Sequence, residues 1–152
     1  MSRLLALFFA IAVCALAGAC TSEGVTTPSS SGPGYDGQWS GTTLQGAPIS
    51  FTVSADQTVT SITVGYNFNG CSGSKTFSTL SLKIGTAQPP LPTPQPPFNN
   101  PGFGYGSGPP EEANFIQVTG TFTSNQTSTG VLGLLNFPNC GNSVATWNAT
   151  KH

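Results

Sequence analysis

Ile49-Ser50-Phe51-Thr52-Val53 alternates strictly between apolar and hydroxylated residues. A period of two puts Ile49, Phe51 and Val53 on one face and the hydroxyls on the other, the pattern of a half-buried β-strand. The flanking stretches repeat the device. Gly37 to Leu44 places Trp39 on a buried face, and Gln45-Gly46-Ala47-Pro48 turns the chain into the second strand. Ser54-Ala55-Asp56-Gln57 turns it back. Val59 to Phe68 then sets Ile62, Val64, Tyr66 and Phe68 on one side, with Val59 on the other parity, which predicts a bulge near Thr60.

Further along, Asn69 to Ser74 reads as a loop, and a fourth strand is expected from Thr76 to Ile84 with Leu80, Leu82 and Ile84 lining one side. The alternation stops at Gly85. From there to Pro110 the chain is first Pro-rich, Pro89 to Pro97, and then Gly-rich with Phe98, Phe103 and Tyr105, which predicts polyproline II geometry and irregular backbone. Strands resume at Phe115–Phe122, Gly130–Phe137 and Val144–Thr150, the last carrying Trp147. The expected fold is all-β: one antiparallel β-sandwich or barrel of about seven short strands, interrupted by a long Pro/Gly-rich crossover loop over residues 85–110.

Composition supports this. The 152 residues include 19 Gly and 13 Pro, and the apolar residues fall in short β-branched and aromatic runs, as strands and turns require. Charged residues make up 6% of the chain and the net charge is −1, so there is no basic stripe for nucleic acid.

The beginning of the chain sets its expected placement. After Met1-Ser2-Arg3 comes an apolar run from Leu4 to Leu16, the length of a signal-peptide core rather than of a membrane span. Residues 1–19 are therefore expected to be a signal peptide. Ala17-Gly18-Ala19 fits ordinary cleavage and a soluble secreted product, while the small residues before Cys20 resemble the lipobox of bacterial lipoproteins, here with Leu16 four residues before the cysteine instead of three. The resemblance, to small bacterial lipoproteins of uncharacterised function, implies lipid attachment at Cys20 and a membrane anchor. With Thr21 next in place of aspartate, it implies the outer membrane or cell surface. Residues 20–34, rich in Ser, Thr, Gly and Pro, read as a flexible linker, and residues 35–152 as the β domain.

Cysteine parity points the same way. Cys14 leaves with the leader, and a lipidated Cys20 leaves Cys71 and Cys140 to form one disulfide in an oxidising compartment. Asn67-Phe68-Asn69-Gly70-Cys71 parallels Asn136-Phe137-Pro138-Asn139-Cys140, so two hairpins are expected in equivalent places. In a simple seven-strand meander those two hairpin loops lie at opposite ends, too far apart to bridge. The 85–110 segment is therefore expected to cross the domain and bring them together.

Chemistry is sparse. His152 is the only histidine and the last residue, which leaves no Ser-His pair inside the chain. Glu111-Glu112 with Asp36 has the composition of a calcium ligand set, but adjacent glutamates beside Pro109-Pro110 read as solvated, and no metal or cofactor is expected. The sequons at Asn125 and Asn148 carry no weight behind a bacterial-type leader. Strand aromatics read as core, whereas Phe98, Phe103 and Tyr105 in the long loop are candidates to stack on a sugar or grip a protein. The expected function is a non-enzymatic, tethered domain binding an extracellular glycan or protein through loops. The alternatives are a structural envelope component and, third, an enzyme.

Overall fold

A computed structural model describes residues 34–68, 70–85, 100–138 and 141–152. Among these residues there are nine strands and no helix: β1 (Gly37–Thr43), β2 (Pro48–Val53), β3 (Thr58–Phe68), β4 (Cys71–Phe77), β5 (Leu82–Lys83), β6 (Gly102–Gly106), β7 (Phe115–Phe122), β8 (Thr127–Phe137) and β9 (Gly141–Lys151). They form one antiparallel sheet in the order β4-β3-β2-β1-β9-β8-β7-β6, with β5 pairing to the start of β3. The first and last strands are neighbours, and β4 and β6 are the two edges. The sheet curls until these edges face one another. Phe77 on β4 and Tyr105 on β6 bring their rings to 4.7 Å, and the Gly85 amide donates to the Gly102 carbonyl at 2.7 Å.

The inward face carries the core. Trp39 stacks on Phe51 at 5.5 Å, Phe122 meets the edge of Trp39 at 5.1 Å, and Phe103 lies 5.1 Å from Phe51. Burying each such ring stabilises the fold by roughly 1.5–3 kcal/mol, and the ring pairs add about 0.5–1.5 kcal/mol each. Trp39 Nε1 donates to the Tyr35 carbonyl at 2.8 Å, whereas the buried Trp147 Nε1 has no acceptor among the described residues. Two glycines make room for these rings. A Cβ on Gly120 would overlap the Phe103 ring, and one on Gly130 would overlap both the Thr119 carbonyl oxygen and the Trp147 indole.

The expected bulge is present at Thr60. Thr52 lies opposite Ser61 and Val53 opposite Val59, so Thr60 is the extra residue and Val59 turns inward to full burial. Two other segments differ from expectation. The stretch from Cys71 to Ser74 is strand rather than loop, because β4 is an edge strand exposed from Ser72 to Thr76 and has no apolar face to advertise it. Leu80, Leu82 and Ile84 do pack on the core, but from a turn and the two-residue β5.

The larger correction lies inside residues 85–110. Gly102-Phe103-Gly104-Tyr105-Gly106 is a strand paired to β7, with its aromatics on the core face and its glycines on the other. This additional strand reverses the direction of every strand after it. The β3–β4 and β8–β9 hairpins therefore lie at one end of the sheet by strand parity, and no crossing of the domain is needed. Residues 86–99 lie outside the described residues, but the segment leaves and returns beside the Gly85–Gly102 hydrogen bond, linking two edges that already face each other. The chain enters at the opposite end, where Lys151 donates to the Gly34 carbonyl at 2.9 Å and Tyr35 stacks on Phe122.

Candidate binding site at the sheet seam

Where β4 and β6 diverge above the Phe77–Tyr105 contact, the seam opens into a cavity of about 500 Å³. Five aromatic residues wall it: Tyr66 from β3, Phe77 from β4, Tyr105 from β6, Phe115 from β7 and Phe137 from β8. Lys75 on β4, Ser107 after β6, and Glu112 and Asn114 in the β6–β7 loop give it polar groups. Its volume falls in the range of small-ligand pockets.

Local chemistry shapes each wall. Tyr66 and Phe137 meet edge to face at 5.6 Å, so the two projecting hairpins lean together at this end. The β6–β7 loop is anchored at both ends of its span. The Ile116 amide donates to Ser107 Oγ at 2.8 Å, and the Ser107 amide to the Ile116 carbonyl at 2.9 Å. Asn136 then acts as a clasp from β8. Its Nδ2 donates to the carbonyls of Pro110 at 2.8 Å and Glu112 at 3.2 Å, and its own carbonyl accepts from the Asn114 amide at 3.1 Å. Asn114 and Asn136 both hold left-handed backbone, with φ of 61° and 58°. Asparagine tolerates that conformation better than other residues with a side chain. Burial holds the Tyr105 phenol above its ordinary ionisation range, so the hydroxyl at the cavity wall stays protonated and able to donate.

The residues singled out by sequence divide accordingly. Tyr105 lines the cavity. Phe103 does not: it is fully buried between Phe51, Phe122 and Trp147, because the strand period that turns Tyr105 inward at the seam turns Phe103 into the core. It is a packing residue, not an exposed contact. Phe98, Cys20 and Cys140 lie outside the described residues. Asp36 stands 3.9 Å from Lys151, at the end of the sheet away from Glu111 and Glu112, so these three acids do not converge. Among the described residues no group of three His, Cys, Asp or Glu side chains is placed to hold a metal ion. His152 Nε2 shares a 2.6 Å hydrogen bond with Ser40 Oγ, remote from the cavity.

Sequence reading missed Tyr66, Lys75, Phe115, Asn136 and Phe137 as parts of one site. The available signal was the paired Asn-Phe motifs before Cys71 and Cys140, which mark the two hairpins that meet here. No family model, curated protein or solved structure matches the chain.

Proposed function

We propose that the protein is a non-enzymatic binding module, tethered to the bacterial envelope through lipid on Cys20, that captures part of an extracellular glycan or protein in the seam cavity. The observation that carries this is the cavity itself: five aromatic walls and a polar rim where the two edges of the sheet meet. Aromatic faces suit sugar rings and apolar side chains alike, and the Tyr105, Ser107 and Asn114 groups supply directional hydrogen bonds. Neither His nor Cys lines the cavity among the described residues, and Glu112 is its one acid there, which favours capture over reaction. The burial of Phe103 favours the alternative of a structural envelope component to the extent that one fewer loop aromatic is available for contact.

The same reading includes a Cys71–Cys140 disulfide joining the two hairpin tips. The Tyr66–Phe137 contact, which brings the two hairpins together, supports it.

The deciding experiment places a photo-crosslinking residue at Ser107, or at exposed Thr129 away from the seam, in the protein on its native envelope. Capture is expected from Ser107 alone, and equal adducts from both positions would reject the site. For the tether, metabolic fatty-acid labelling is expected in the wild type and lost in Cys20→Ser.

A further inference from the structure

We propose that the seam cavity selects a small zwitterion, its anionic group directed to Lys75 and its ammonium to Glu112 and the aromatic rings. This rests on the cavity being a binding site and adds what it binds. The decisive feature is how a charge-poor chain spends its charges. It has four Lys plus Arg and five Asp plus Glu in all, and the described lysines are Lys75, Lys83 and Lys151. Lys83 Nζ lies 2.6 Å from Asp56 Oδ2, and Lys151 Nζ lies 3.9 Å from Asp36 Oδ1. Both described aspartates are thereby matched. Lys75, Glu111 and Glu112 enter no ion pair among the described residues, and of these Lys75 and Glu112 line one cavity, from β4 on one side and the β6–β7 loop on the other.

Opposite unpaired charges flanking an aromatic surface discriminate by repulsion as well as attraction. A plain anion gains Lys75 and meets Glu112, and a plain cation gains Glu112 and meets Lys75. A zwitterion satisfies both, and its ammonium also gains from the faces of tyrosine and phenylalanine rings. Two sources carry this chemistry, an α-amino acid with an apolar side chain and a phosphocholine-type headgroup.

The test is an NMR titration of the full chain with L-phenylalanine, phosphocholine and a neutral disaccharide, following the amides of Lys75, Tyr105 and Glu112. Saturable shifts are expected with one of the zwitterions, and which one responds identifies the source. Lys75→Gln and Glu112→Gln, both at exposed positions, are each expected to weaken binding by about ten-fold while the melting temperature holds, the loss of one charge-assisted contact. Binding of either zwitterion that neither substitution weakens overturns the charge assignment. A response to the disaccharide alone overturns the zwitterion and leaves the cavity a binding site. Silence from all three probes overturns the zwitterion, and the Ser107 crosslink then decides separately whether the cavity binds at all.

Discussion

Gly130 is a position where a single methyl group has a large expected consequence. The Thr119 carbonyl of β7 and the indole of Trp147 on β9 both occupy the space a Cβ would need, and neither is the free end of a flexible side chain. Gly130→Ala must therefore shift a strand or expel the indole, and we expect a loss of about 2 kcal/mol or more by urea unfolding, in the range of overpacked cores. Asp56 shows the other kind of residue effect, one governed by pH. The Lys83 ammonium, then the Ser54 and Thr58 hydroxyls, hold its carboxyl well below the usual carboxylate range. A depressed folded pKa means that the unfolded chain binds the proton first. The contribution is thus present above the free-peptide value of about 3.9 and is lost as pH falls toward the folded value. Because the pair is exposed, the effect is small and salt-sensitive. Carbon-detected NMR is expected to find Asp56 titrating below the usual carboxylate range, and Lys83→Ala is expected to move its titration upward.

Single elements depend on neighbours that sequence does not display. The β6–β7 loop has few apolar residues and keeps its shape through Asn136 on β8, which receives one hydrogen bond from the loop and donates two to it. Asn136→Ala removes both side-chain bonds and sets an ordinary residue in left-handed backbone, at a cost of about 1–3 kcal/mol. Amide exchange is expected to quicken across residues 111–114 and to stay unchanged in β1 and β2. What sequence could and could not disclose follows the same division. β2, β3 and β7 were legible because apolar residues recur at every second position over Ile49–Val53, Ile62–Phe68 and Ile116–Phe122. β4 was not, because an exposed edge strand of Ser, Gly, Lys and Thr has the composition of a loop. β6 was hidden for a different reason: glycine fills every alternate position of Gly102–Gly106, so two aromatics stood in what read as an irregular tract. The site straddles those two illegible strands. Tyr105 was singled out as a loop aromatic, and its partners became neighbours only when the sheet curled.

At the scale of the molecule, the opposed edges and the two leaning hairpins determine how the cavity is held open. With a bridge between Cys71 and Cys140 as proposed, the tips are joined by a covalent tie as well as the Tyr66–Phe137 contact. Cys71→Ser is then expected to cost about 4 kcal/mol in the chain-entropy account of a long closed loop, measured against wild type with and without reductant. Equal stability of wild type in both conditions would show that the tips need no bridge. Residue 34 enters beside Lys151 at the end of the sheet remote from the cavity. For a domain hung from a lipid upstream of that point, this entry acts as the stem of a cup. On the proposed lipid tether, the linker joins the domain at the end away from the rim, so its length sets how far the rim can reach from the membrane.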